Sequence, residues 1–149
     1  TGDTLLGTEA NQFISAGTGN DSISTTFSQS SITASSGNDT IGRVGANNTV
    51  YGGSGSDSFY FVDALTSVLL AGNQDNDTIQ MFAGSTDSSV WGGSGEDSFK
   101  IAADGSGYYL SGDLGNDTID VTASLSAATI VGGDGDDRFF VTGTLNHCR

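Results

Sequence analysis

Aspartate recurs at positions 3, 21, 39, 57, 77, 97, 117 and 137, at intervals of 18 residues three times and then of 20 four times. Carboxylates at a fixed interval can cap turns, take part in acid–base chemistry or hold hard cations, and the interval bears on the choice. If one interval is one coil of a repeating structure, Asp3, Asp21, Asp39, Asp57, Asp77, Asp97, Asp117 and Asp137 stack at the ~4.8 Å spacing of parallel strands. Like charges near 5 Å repel by about 3 kcal/mol per pair at an effective dielectric near 20. Repeated over seven neighbouring pairs, that repulsion outweighs the ~5–15 kcal/mol net stability of a typical domain. The carboxylates must therefore protonate or share cations. A lone Gly-x-Asp would be read as a turn cap making local hydrogen bonds; eight copies in phase favour metal.

The residues around the aspartates suit a hard cation. Gly19, Gly37, Gly53, Gly55, Gly93, Gly95, Gly115, Gly133 and Gly135 mark tight turns whose carbonyls join the carboxylates as oxygen donors, the set that Ca²⁺ prefers. No His or Cys cluster offers a zinc site. Asp75, Glu96, Asp113, Asp134 and Asp136 add oxygens near some turns. One divalent ion in each of the seven gaps would carry +14 against a formal net charge of −14. Catalysis is not expected. His147 is the single histidine, three residues from the end, and no Ser-His-Asp constellation can be built on a repeating position. The acid pairs Glu96/Asp97 and Asp136/Asp137 could suggest glycoside chemistry, but each has a member on the aspartate column.

Elements that would position this column are legible from the apolar residues. Two places after each aspartate stands Leu5, Ile23, Ile41, Phe59, Ile79, Phe99, Ile119 or Phe139, and seven places before each from Asp21 onward stands Ile14, Ile32, Val50, Leu70, Val90, Leu110 or Ile130. A period near 20 with fixed apolar offsets marks a solenoid whose coils bury one another. In one coil, a strand around Thr49–Tyr51 sends Val50 inward, Gly52 to Ser56 turn the chain, and a strand from Ser58 to Val62 alternates Phe59 and Phe61 inward with Ser58 and Tyr60 outward. The 23 glycines and the absence of proline fit short ladder-paired strands joined by sharp turns. Nine residues after the early aspartates stand Gln12, Ser30 and Asn48, where a two-sided repeat would carry a second acid. In later coils that second turn gains two residues and shows no common side-chain pattern. One acidic edge is expected, and one edge that is not.

Composition narrows the partners. Eighteen acids against four basic residues disfavour nucleic acid and anionic membrane surfaces, and the in-phase apolar positions argue against disorder. No apolar run of about 20 residues exists to span a bilayer. The chain opens inside a repeat at Gly2-Asp3-Thr4-Leu5 and both ends look uncapped, so residues 1–149 are expected to form a single solenoid domain, part of a longer repeat protein or an assembling subunit, with head-to-tail or lateral self-association. Cys148 is the lone cysteine and excludes an internal disulfide framework. Tyr51, Tyr60, Trp91, Tyr109 and Phe140 stand at outward strand positions, where they could meet a carbohydrate or protein. The outward turn pairs, from Thr18/Asn20 to Asp134/Asp136, lack the uniform Thr and Asn array of an ice-binding face.

The turns resemble the nonapeptide of the RTX (repeats-in-toxin) family, Gly-Gly-x-Gly-x-Asp-x-U-x with U large and apolar. Full matches begin at Gly52, Gly92 and Gly132, with near matches before Asp21, Asp39 and Asp117 and the weakest at Gln74-Asp75-Asn76-Asp77. The resemblance implies an all-β, right-handed parallel β-roll of about eight coils with two short strands each, and several Ca²⁺ ions between consecutive turns. Because the opposite edge lacks the motif, one row of ions is expected instead of two. It also implies export, by bacteria, to the cell exterior. The function so expected is an extracellular calcium-binding structural module, a rigid segment of an adhesin, surface layer or filament that folds on Ca²⁺. A calcium-triggered secretion module of an exported toxin or hydrolase, or a carbohydrate-binding accessory module, are the alternatives.

Overall fold

In a computed structural model that describes residues 2–7 and 9–149, the described residues form a stack of parallel strands with no helix among them. Eight strands, Thr4–Leu6, Ser22–Ser24, Thr40–Arg43, Ser58–Phe61, Thr78–Met81, Ser98–Ile101, Thr118–Val121 and Arg138–Val141, lie side by side in chain order on one face. Seven more, Phe13–Thr18, Ser31–Ser36, Thr49–Ser54, Leu69–Gln74, Ser89–Ser94, Tyr109–Leu114 and Thr129–Asp134, do the same on the other. This is a β-solenoid of about seven turns. Each step in register equals one repeat, with Ile23 opposite Ile41, Phe59 opposite Ile79 and Phe99 opposite Ile119.

The inward positions are those that the apolar offsets mark. Ile23, Ile41, Phe59, Ile79, Phe99 and Ile119 from the first face meet Ile32, Val50, Leu70, Val90 and Leu110 from the second, all at most 1 % exposed. Burying side chains of this size is worth roughly 1.5–3 kcal/mol each, repeated along the whole stack. At the two ends the same columns open. Leu5, Ile14 and Ile130 are half-buried and Phe139 is 49 % exposed, because only one coil covers each.

Two expectations need correction. The strand expected to stop near Tyr51 runs through Gly52 and Gly53 to Ser54, pairing with Leu69–Gln74 on the next coil, so the turn proper is shorter. The second turn of the later coils, despite its dissimilar side chains, has one common backbone plan. Thr66, Thr86 and Ser106 bridge in parallel, and Gly105–Ser106, Leu125–Ser126 and Leu145–Asn146 form a third small sheet. The last coils thus have three strands instead of two. The two residues gained in the 20-residue coils give this corner length enough to pair with its neighbours, and Leu65, Val68, Tyr108 and Leu125 fill the space behind it. A column of left-handed residues turns it, Asn47, Ser67, Asp87, Gly107, Ala127 and His147, all with φ between 49° and 67°.

Candidate metal centre

The aspartates close each turn from the inside. Asp21, Asp39, Asp57, Asp77, Asp97 and Asp117 are at most 2 % exposed. One carboxylate oxygen, Oδ1, accepts the backbone N–H of the aspartate one coil earlier. The ladder runs from Asp3 N–H to Asp21, on through Asp39, Asp57, Asp77 and Asp97, to Asp117 N–H on Asp137, at 2.6–2.9 Å. Turn capping is therefore real here, yet it reaches across coils and uses only half of each carboxylate. The other oxygen, Oδ2, is buried without a hydrogen-bond partner in all six. One orphaned polar atom calls for an explanation; six of the same kind in one column describe a site. Asp137 is half-buried and Asp3 exposed, so the row fades at both ends.

A column of glycines, three of which open full motif matches but none of which the motif assigns to the site, makes room for these oxygens. A Cβ on Gly52, Gly72, Gly92, Gly112 or Gly132 would collide with Oδ2 of the aspartate five residues later. The same space beside Gly52, Gly72, Gly92 and Gly112 is bordered by the carbonyl of the next coil's equivalent glycine. The orphan oxygens of Asp57, Asp77, Asp97 and Asp117 therefore each share a small hollow with a main-chain carbonyl, an all-oxygen setting that fits a hard dication. The signal was available, a glycine five places before every aspartate from Asp57 onward, but Ala16 and Ala34 hold that position in the early coils and hide the rule.

The glycines singled out from the motif stand elsewhere. Gly19, Gly37, Gly55, Gly95, Gly115 and Gly135 form one stack and Gly53, Gly93 and Gly133 belong to another, all at φ between 110° and 141°. They stack so closely that a Cβ on Gly55 would strike the carbonyl of Gly37, and one on Gly53 that of Ser35. Their observed role is close main-chain approach. Among the described residues no three His, Cys, Asp or Glu side chains converge to hold an ion, so carbonyls must supply part of any coordination shell.

Electrostatics mark the same column. Burial, first, and then neighbouring charges raise Asp57 and Asp97 to about 6 and Asp77 to about 8 from an ordinary 3.8, against the lowering effect of the ladder hydrogen bonds. Asp39 and Asp117 are raised for the same reasons. Carboxylates so placed hold either a proton or a metal ion.

The opposite edge repeats the ladder without charge. Gln12 N–H donates to Ser30 Oγ at 3.1 Å and Ser30 N–H to Asn48 Oδ1 at 2.7 Å, while Asn48 Nδ2 reaches the Phe27 carbonyl at 2.8 Å. Ser30 and Asn48 are buried and leave no orphan atom. This edge is satisfied by its own side chains.

The RTX calcium-binding nonapeptide repeat matches the chain in four copies, at residues 6–41, 45–61, 109–123 and 127–142, more than half of the 149 residues. The chain belongs to the RTX calcium-binding repeat family. It is thus a calcium-binding β-roll module. The RTX turns at Gly72 and Gly92 lie between the matched spans, yet they carry the same ladder and the same orphan oxygen. No curated protein and no solved structure matches the chain.

Proposed function

We propose that this RTX module is a non-enzymatic structural segment of a secreted bacterial adhesin, surface layer or filament, folded and stiffened outside the cell by one row of Ca²⁺ ions along the aspartate edge. The column of buried, unpartnered Oδ2 atoms carries the reading. A calcium row lifts the cost of burying those charges, and weak extracellular-type affinity suits a chain that must stay unfolded where calcium is scarce. Asp21, Asp39, Asp57, Asp77, Asp97, Asp117 and Asp137 supply carboxylate oxygens, with the carbonyls beside Gly52, Gly72, Gly92 and Gly112 facing them; Asp3, exposed at the end, is the weakest member. Glu96 and Asp136, the acids beside the column, are exposed and give their N–H groups to Asn76 and Asn116 at 2.8 Å. That geometry favours turn building over acid catalysis. The exposed apolar residues Phe139, Val141 and Leu145 at one end and Leu6 and Phe13 at the other support stacking on further coils or on a second copy.

Circular dichroism during a Ca²⁺ titration, with Mg²⁺ as control, tests the proposal. A β spectrum should develop with Ca²⁺ and collapse on chelation; one that survives chelator unchanged at neutral pH defeats it. A second reading, carbohydrate binding, is favoured by Trp91 and Tyr109, whose rings sit 5.8 Å apart on one face. Glycan binding that is lost in Trp91→Ala would establish it. The secretion-module reading makes the same calcium demand and is distinguished by a catalytic domain in the parent protein.

A further inference from the structure

Beneath the one-coil repeat runs a second period, two coils long. Down the first face the paired core residues alternate as Ile41, Phe59, Ile79, Phe99, Ile119 and Phe139. Down the second they alternate as Val50, Leu70, Val90 and Leu110. At the start of the turn, Gly53, Asn73, Gly93, Asp113 and Gly133 follow one another in register. Two of the later turns also carry an acid where the motif has glycine, at different places, two residues before Asp77 and four residues before Asp117. Those acids are Asp75 and Asp113, at φ of 71° and 75°.

Asp75 changes the wiring of its gap. In other turns the N–H at this level donates to a main-chain carbonyl of the next coil, Gly19 to Ser36, Gly37 to Ser54, Gly95 to Leu114 and Gly115 to Asp134, at 2.8–2.9 Å. Gly55 N–H instead donates to Asp75 Oδ2 at 2.9 Å. This holds the Asp75 carboxylate across the gap between the turns of Asp57 and Asp77, whose own Oδ2 atoms are buried and unpartnered. Asp113, at the other position, accepts the Ser111 hydroxyl of its own strand at 2.5 Å and so is held within its coil.

We propose that the calcium row is graded, with the Asp57–Asp77 gap filling first because Asp75, held across it by the Gly55 N–H, adds a third carboxylate. The inference rests on the calcium reading above. A further negative charge at the gap attracts a cation there, and ordering one coil pair first gives a solenoid a nucleus from which neighbouring coils propagate. Because Asp75 is exposed, the advantage shrinks as salt rises.

Calorimetric Ca²⁺ titration of the whole chain, kept folded with sucrose, tests this. The wild type should bind one ion more tightly than the rest. Asp75→Asn should move that ion to the weaker class by roughly tenfold and leave a single class, whereas Asp113→Asn should keep the tight ion. High salt should narrow the difference. Asparagine tolerates the left-handed backbone at both positions, and β content in saturating calcium should match the wild type. Asp87→Asn, which removes an exposed charge on the opposite edge, should titrate as wild type. An Asp75→Asn variant that titrates like Asp87→Asn, or a wild type with one class of site, overturns the grading. No calcium uptake by the wild type overturns the row itself, a separate and recognisable failure.

Discussion

Replacing Asp77 by asparagine should stabilise the chain without calcium and destabilise it with calcium. Asparagine keeps an Oδ1 to accept the Asp57 N–H, now bonded at 2.7 Å. It exchanges the orphan Oδ2 for an NH₂ group directed into the hollow beside Gly72 that the Gly92 carbonyl borders. A neutral donor thus replaces an unpartnered acceptor. Burial, chiefly, raises Asp77 from 3.8 to about 8, and at 1.36 kcal/mol per unit the ionised side chain costs at most about 5 kcal/mol at pH 8. Partial relaxation and shared titration along the column reduce that to about 2–3 kcal/mol. In chelator at pH 8, Asp77→Asn should gain that amount; at pH 5, where folding must still protonate a side chain that is ionised in the unfolded chain, about a third of the gain should remain, and below about pH 4 it should vanish. In millimolar Ca²⁺ the substitution removes a ligating carboxylate from two adjacent gaps; a roughly hundredfold loss of affinity at each amounts to about 5–6 kcal/mol, which exceeds the gain carried over from the metal-free protein and leaves a net loss of about 3 kcal/mol. Urea unfolding followed by circular dichroism, in chelator with a stabilising osmolyte and again in calcium, reads both signs. Equal signs in the two conditions would refute the reasoning, since a plain packing defect or a plain capping role does not reverse with the metal.

The pH response should reverse as well. Asp57, Asp77 and Asp97 bind protons more tightly folded than unfolded, so the metal-free fold is most stable below about pH 4 in their contribution and loses stability as pH rises through 6 to 8. With calcium present, stability should rise over the same range, because bound ions require ionised carboxylates; thermal melts from pH 4 to 8 measure both slopes. Gly72→Ala drives a Cβ into Asp77 Oδ2 and should cost about 1–3 kcal/mol in calcium, whereas Ala34→Gly, at the equivalent early position, should leave calcium affinity intact. Asn48→Asp places a charge on the neutral edge between Ser30 and Val68 and should destabilise by about 1–3 kcal/mol with no rescue by calcium, as judged by urea midpoints. Phe59→Ala, at a wholly buried core position, should cost about 3–5 kcal/mol with or without the metal.

What the sequence determined by itself is the period and the inward set. The aspartate interval and its two apolar offsets suffice because a solenoid reduces the folding problem to one coil repeated: Ile79 is buried for the same reason as Phe59 and Phe99, and each is legible from its distance to an aspartate. The neutral second edge was legible too, since Gln12, Ser30 and Asn48 cannot carry charge. Tertiary structure decided the rest. Register alone turns the carboxylates inward, gives one oxygen of each to a neighbour a whole coil away and strands the other. It also gives Gly52, Gly72, Gly92, Gly112 and Gly132 their purpose, because the atom that excludes a Cβ there belongs to a side chain five residues on, joined at the first four by a carbonyl one coil on. The third sheet at residues 105–106, 125–126 and 145–146 escaped notice because parallel pairing is made by backbone groups, which hydrogen-bond alike whatever side chains they carry. For the same reason Asp75 reads in the chain as a flaw in the motif, and in the fold as a charge held by Gly55 across the gap it serves.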